Sequence, residues 1–559
     1  MSRNTRRSWG HAVAALAALC AVLSLAACNK SDSSQHAQQS ASLKPVSGGS
    51  LTWGVTTEPA CFDPHRSSQQ NAFWVIRNYI DSLIYKQRDG SYSPWLAKSW
   101  TVSDDGRTYT FNLRDDVHFT DGAPFDAQAV KANFDYIVAN VATTASSAAL
   151  LVHLDRVDAV SPSVVRIVLK QADSTLLASL SSVGLGFISP KALASNHDLC
   201  AGGPGIVGTG PFVFSAYRRG QSVTFTRNAD YRWAPAAAQH QGPAWLDKVT
   251  YRFLPEASVR TGALSSGQVD LIEGVQPTDA SVFDHVDGFQ FLTGPSAATT
   301  SFTLNVNYTA WPTDDVRVRR ALRDGFDVDG IVKSIYLGTV ARAWSNIGPD
   351  NPDYAKALQG SWGNKVADAN HLLDEAGWTG RDSDGFRTKD GKRLTVVVGY
   401  PQPYIRDSRD VLIHAIQSAL RQNLGLDLQL RITTAGEFES QKATGRWSVY
   451  PNTENASDAA FELWDNLGDG GFLYRAVRGR DKTLTDRINE ARRLPVGDER
   501  RKLLGEIQQY AVDQGYIVPL YTPQFHLAAK STVHGIGFEP SLDGPSSSYE
   551  LWVEKQGAS

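Results

Sequence analysis

Residues 96–130, LAKSWTVSDDGRTYTFNLRDDVHFTDGAPFDAQAV, constrain the fold more than any other stretch. Ser103-Asp104-Asp105-Gly106 is turn chemistry, because Asp bonds its own backbone and Gly accepts positive φ. Tyr109, Phe111 and Leu113 then alternate with Thr108, Thr110 and Asn112, the period of a half-buried strand. A second turn, Thr120-Asp121-Gly122-Ala123-Pro124, leads to Asp126. That Asp is placed to cap a helix with Val130, Phe134 and Ile137 on one face. The order is turn, strand, turn, capped helix, and no general catalytic motif lies in it.

This order resembles the signature of the solute-binding proteins of peptide/nickel-type ABC importers (extracellular solute-binding protein family 5). Members carry a run much like LA.SW..SDDG.TYTF.LR.GV.F.DG.P, and this chain follows it with Asp116 where Gly is usual. The resemblance continues along the chain. Gly208-Thr209-Gly210-Pro211-Phe212 is similar to the family's "vGTGPy" turn, and Val316-Arg317-Val318-Arg319-Arg320-Ala321-Leu322 to its "VRqAl" run. Leu372-Leu373-Asp374-Glu375-Ala376-Gly377-Trp378 is similar to "LLdeAGw", and Ile517-Val518-Pro519-Leu520-Tyr521 to the return crossover. The resemblance implies an α/β fold: a two-lobed periplasmic-binding-protein clamshell of type II with an extra subdomain in the first lobe. It places lobe one at 51–303 plus 521–559, the extra subdomain at about 95–205, and lobe two at 304–520. Two crossovers between lobes form a hinge that closes on ligand.

Strand–helix alternation in both halves agrees with α/β lobes, and 559 residues exceed one ordinary core. A formal net charge of -3 gives no reason to expect nucleic acid as a partner. Residues 1–27 read as a signal peptide. Arg3, Arg6 and Arg7 form a basic start, an Ala/Leu-rich apolar run follows, and the end is Leu25-Ala26-Ala27-Cys28. That end resembles the bacterial lipobox, which implies lipidation of Cys28, with an incidental Cys beside an ordinary cleavage site as the alternative. Residues 28–50, rich in Ser, Gln and Ala, read as a flexible tether. The chain is thus expected to be exported and lipid-anchored, on the outer face of the cell membrane or in the periplasm. Cys20 leaves with the signal peptide, so Cys61 and Cys200 remain as an even pair in an exported protein. A disulfide is expected between them, two separate buried thiols being the alternative.

Several local features compete for attention. Gly203-Pro204-Gly205-Ile206-Val207-Gly208 is a literal G-x-G-x-x-G, but a β pattern follows where a dinucleotide fold needs a helix. Asp382, Asp384 and Gly385 lack EF-hand spacing, and no Cys/His metal pattern occurs, so neither metal nor cofactor is expected. Phe73 to Tyr85 reads as one helix, and the arginines at 317, 319 and 320 as a solvated helix face.

There is no G-x-S-x-G and no H-E-x-x-H, and nothing local selects a nucleophile and base, so an enzyme is not expected. The resemblance implies capture of a small solute, a peptide or peptide-like compound, by a monomer that delivers it to an ABC permease and ATPase complex. A sensor on the same fold, or a binder of a nickel chelate, opine or oligosaccharide, is the alternative. By the same resemblance Asp458 is placed to meet a ligand's amino terminus, with helix capping as its other reading. Gln402 stands where dipeptide-binding members have a carboxylate-binding Arg, and Tyr404 and Trp464 are candidates for an aromatic wall.

Overall fold

The computed structural model describes residues 44–195, 198–294, 300–442, 444, 446–453, 458–471, 481–542 and 544–554. Cys28, the signal peptide and all but the end of the tether lie outside the described residues. The fold is that of the unit Ser47–Ser559.

Its first lobe is built on Ser50–Val55, where Leu51, Trp53 and Val55 are all buried. This strand runs parallel to Lys248–Phe253 on one side and to Leu271–Glu273 on the other. Ser222–Arg227 and Phe212–Arg218 extend the sheet beyond the first neighbour, and Phe525–Lys530 and Phe289–Gly294 beyond the second, giving seven strands. Trp53 stacks on Tyr251 at 5.3 Å in the core of this lobe. Burial of such side chains contributes about 1.5–3 kcal/mol each.

The stretch 96–130 folds as its pattern requires. Thr108–Leu113 buries Tyr109, Phe111 and Leu113, and pairs with Ala97–Val102 and Val164–Leu169 in a four-stranded sheet completed by Leu154–Ser161. Asp126 accepts from the Ala129 amide at 2.9 Å and starts the helix Ala127–Ala139, which buries Val130, Phe134 and Ile137.

The second lobe carries a six-stranded sheet. Its order is Ala341–Arg342, Ile517–Thr522, Phe302–Val306, Val449–Asn452, Thr395–Pro401, Asp427–Thr433. The last two strands run parallel, from Thr395 opposite Asp427 to Pro401 opposite Thr433. Helix Arg409–Leu424 makes the crossover that a parallel pair needs, burying Leu412, Ile413, Ile416 and Leu420. This lobe has its own core, separate from that of the first. The chain crosses between lobes twice, after Gly294 and again between Thr522 and Phe525.

Two expectations are corrected. The helix expected over 73–85 is only Gln70–Ile76, and Ile84–Lys86 is a strand. The Asn78 amide donates to the carbonyls of Trp74 and Val75, taking bonds a longer helix would use. The Asn78 and Tyr79 carbonyls are in turn held by the Phe212 and Gly210 amides, at 2.9 and 3.1 Å. This is what the glycine-rich turn does. A Cβ at Gly208 or Gly210 would collide with the Tyr79 backbone, so glycine is required for close approach. The arginines of helix Val316–Asp324 do not all lie on a solvated face. Arg319 is buried and donates to the carbonyls of Gln514, Thr313 and Asp314, while Arg320 donates to Asp513. Asp382 and Asp384 are both engaged by Arg393, at 2.6 and 2.5 Å.

Candidate ligand site between the lobes

In α/β sheets a ligand crevice forms outside the carboxyl ends of parallel strands. Those ends are Val55, Phe253 and Glu273 in the first lobe, and Pro401 and Thr433 in the second. The two edges face each other. The charge of Arg406 acts on Glu273, that of Asp407 on Arg260 and His526, and the His526 ring lies 3.3 Å from the Thr339 carbonyl.

The second lobe contributes two cations where Thr395–Pro401 is joined to its crossover helix, Arg406 from the loop and Arg409 from the first position of the helix. Arg409 is 3% exposed. Its Nε donates to the Tyr521 hydroxyl at 2.9 Å, and its guanidinium lies 4.4 Å from the Phe302 ring centre. Its Nη2 has no hydrogen-bond partner among the described residues, and the Asp407 carboxylate is 3.9 Å away. Arg406, with 55% of its side chain exposed, has its pKa pushed down by the neighbouring Arg409 charge. Asp407 Oδ2 lies 3.7 Å from Arg406 Nε and 3.9 Å from Arg409 Nη2, too far to hydrogen-bond either, so one carboxylate faces two guanidiniums and the pair keeps a net positive charge suited to an anion. The loop is strained to hold them: Asp407 and Ser408 both take left-handed backbone, at φ of 53° and 55°. Consecutive non-glycine residues in that region cost free energy and cluster at functional sites.

Other polar atoms at these edges are also unsatisfied. Glu273 Oε1 accepts from the Thr56 amide and hydroxyl, both at 2.8 Å, while Oε2 has no partner among the described residues. Burial raises the Glu273 pKa. Thr433 Oγ1 is likewise buried and unpaired there. Buried polar groups are nearly always hydrogen-bonded, so this concentration marks a surface built to meet a ligand.

Gln402 and Tyr404 form a short 3-10 turn on the loop that carries Arg406 and leads to Arg409, and both are exposed. Asp458 stands elsewhere in the network. Its Oδ1 accepts from the amides of Ala460 and Phe461, capping helix Ala459–Leu467, and its carboxylate is paired with Arg500. Burial opposes ionisation of Asp458, but the charges of Arg500 and Lys86 and the Phe461 amide hold its pKa below the usual range. In this geometry the carboxylate is committed to the cap and to Arg500. Trp464 is packed rather than open, its Nε1 donating to the Asp469 carbonyl and its ring lying 4.6 Å from the Arg492 guanidinium. Cys61 and Cys200 are joined as a disulfide. The two arginines follow closely on Tyr400-Pro401-Gln402-Pro403-Tyr404, and two Arg at a strand-to-helix junction are the signal by which they could have been found.

Away from the hinge the lobes are bolted together. Arg492 Nη2 donates to Asp173 Oδ2 at 2.6 Å, and the Arg492 carbonyl accepts from the Ser174 amide and hydroxyl. The crevice therefore lies between the crossovers and this contact.

Residues 91–470 match the family described as bacterial extracellular solute-binding proteins, family 5. The chain is 28% identical to the nickel-binding periplasmic protein of Escherichia coli K12, over 87% of its own length and 91% of that protein's. It is 30% identical to the glutathione-binding protein of Salmonella typhi, over 58% of its length and 60% of that protein's. Its fold is similar to that of NikA from Brucella suis, solved with Fe(III)-EDTA, at a TM-score of 0.79 and 25% identity, covering 90% of this chain and all of the other. It is an exported transport protein and not an enzyme. With two α/β lobes closing on a crevice, the chain belongs to family 5 of the bacterial extracellular solute-binding proteins, which capture a solute and deliver it to an ABC permease and ATPase.

Proposed function

We propose that the captured solute is a carboxylate-bearing compound, peptide-like or a carboxylate-chelated metal, with its anionic group on Arg409 and Arg406. The observation that carries this reading is the buried Arg409 guanidinium, whose Nη2 lacks a hydrogen-bond partner among the described residues at the mouth of the second sheet. Glutathione and EDTA complexes, named for two relatives, are themselves carboxylates. In this reading Asp458 stays paired with Arg500 and the ligand's anionic group, not its amino terminus, carries the recognition. Gln402 and Tyr404 border the site on the same loop, while Trp464 packs against Arg492 and takes no part in holding the anion. A charge-assisted bond to a buried guanidinium contributes about 1.5–3 kcal/mol, about tenfold or more in affinity.

Thermal-shift titration tests this with glutathione, a C-terminally amidated tripeptide and a neutral disaccharide, because ligand stabilises by mass action. Glutathione or a like carboxylate should raise the melting temperature. Arg409→Gln should weaken that binding about tenfold or more. Equal stabilisation by the amide or the sugar would overturn the assignment.

The protein works as a monomer held to the membrane by lipid on Cys28, following the Leu25-Ala26-Ala27-Cys28 pattern. Cys28→Ser in the native host should move it from the membrane to the soluble fraction, and unchanged fractionation would refute the anchor.

A further inference from the structure

A cavity of about 480 Å³ lies in the second lobe, beside the two strands that lead to the hinge. Neither Glu273 nor any residue of the arginine loop lines it. Ser301 and Thr522, one on each crossover, do line it. Their side chains are 1% and 2% exposed, yet neither hydroxyl has a hydrogen-bond partner among the described residues. Arg342 contributes a guanidinium stacked 3.4 Å from the Trp344 ring centre and 4.7 Å from that of Trp362. Its Nη2 donates to the Trp362 carbonyl at 2.9 Å, and its Nε is buried without a partner there. Burial, against the pull of Asp329, Asp327 and Asp324, brings the Arg342 pKa down to about 10. A cation that has lost water and keeps a free donor favours an anion. Val332 and Ile347 supply an apolar wall.

We propose that this cavity is a second ligand site, for a small organic carboxylate with an apolar body, bound by Arg342 Nε and the Ser301 and Thr522 hydroxyls. The carboxylate takes the donors that the protein leaves open, and the alkyl part lies against Val332, Ile347 and Trp344. The assignment is independent of the solute held between the lobes. A ligand here ties together the two strands through which the lobes are connected.

Hydrogen exchange of the mature protein with isovalerate at millimolar concentration tests it, with isovaleramide and chloride as controls. Isovalerate should slow exchange in peptides spanning Ala341–Arg342, Phe302–Val306 and Ile517–Thr522, and the amide should not. Thr522→Val, which keeps the strand's shape, should weaken the effect about fivefold to tenfold, and Arg342→Gln should remove it. The proposal is overturned if isovalerate gives no protection, if protection is confined to the arginine loop, if the amide protects equally, or if Thr522→Val leaves it unchanged.

Discussion

Asp458 Oδ1 and Oδ2 lie 2.5 and 2.7 Å from Arg500 Nη2, and both side chains are buried. Arg500 also reaches Asp353 at 3.3 Å, and the charges of this cluster act on Tyr92 of the first lobe. Asp458→Asn keeps a side chain that can cap the helix, but it leaves Arg500 short of a partner. Loss of one member of a buried pair costs on the order of 3–5 kcal/mol. Chemical denaturation of the ligand-free protein should show that loss. An unchanged midpoint with tenfold weaker ligand binding would instead return Asp458 to the ligand.

The Asp173–Arg492 contact should govern closure. It joins the segment after Val164–Leu169 to the end of helix Lys482–Arg493 at 2.6 Å, with both side chains more than nine-tenths buried. Asp173→Asn should favour the open form, seen as a larger radius of gyration in ligand-free solution scattering. Ligand affinity should fall about fivefold to tenfold, chiefly through faster release. An unchanged release rate would show that the contact follows closure without controlling it.

A pH dependence follows from Asp81. It is fully buried, and burial raises its pKa to about 7 despite the Arg77 charge and bonds from Thr209, Trp233 and Tyr231. The folded state therefore holds a proton that the unfolded chain has released. Stability from this group is complete below about pH 4 and is lost as pH rises through about 7. The total is on the order of 4 kcal/mol. Asp81→Asn should flatten stability between those limits and stabilise the protein at pH 8 relative to the parent. A parallel pH profile in the variant would exclude Asp81 as the cause.

The Cys61–Cys200 bridge spans a sequence separation of 139. A closed loop of that length stabilises by on the order of 4–5 kcal/mol in the chain-entropy view. Reduction, or Cys61→Ser with Cys200→Ser, should lower the melting temperature by several degrees. Two freely alkylated thiols in the purified exported protein would refute the bridge.

Elements whose contacts are close in sequence could be read directly. The strand Thr108–Leu113 and the Asp126 cap depend on neighbours a few residues away, so alternation and capping chemistry locate them. The end of helix Gln70–Ile76 depends on Gly210 and Phe212, far along the chain, and periodicity alone carries the helix too far. The same division runs through the site. Gln402 and Tyr404 lie on the loop that leads to Arg409, but the orientation of Arg409 depends on its Nε bond to Tyr521, at a separation of 112, which no local pattern shows. Asp458 reads as a ligand anchor or a cap with equal ease until Arg500, 42 residues on, is brought against it.

Phe525–Lys530 lies between Leu271–Glu273 and Phe289–Gly294 in the first lobe's sheet, although it follows the whole second lobe in the chain. The order of synthesis is therefore not the order of completion. While the chain is being made, the first sheet has an empty lane, with two strand edges exposed, until the last tenth of the polypeptide appears. The second sheet draws every strand from the continuous stretch between Phe302 and Thr522 and can finish first. A released chain truncated just before Phe525 should carry a finished second half and an unzipped first half, the form most in need of a chaperone.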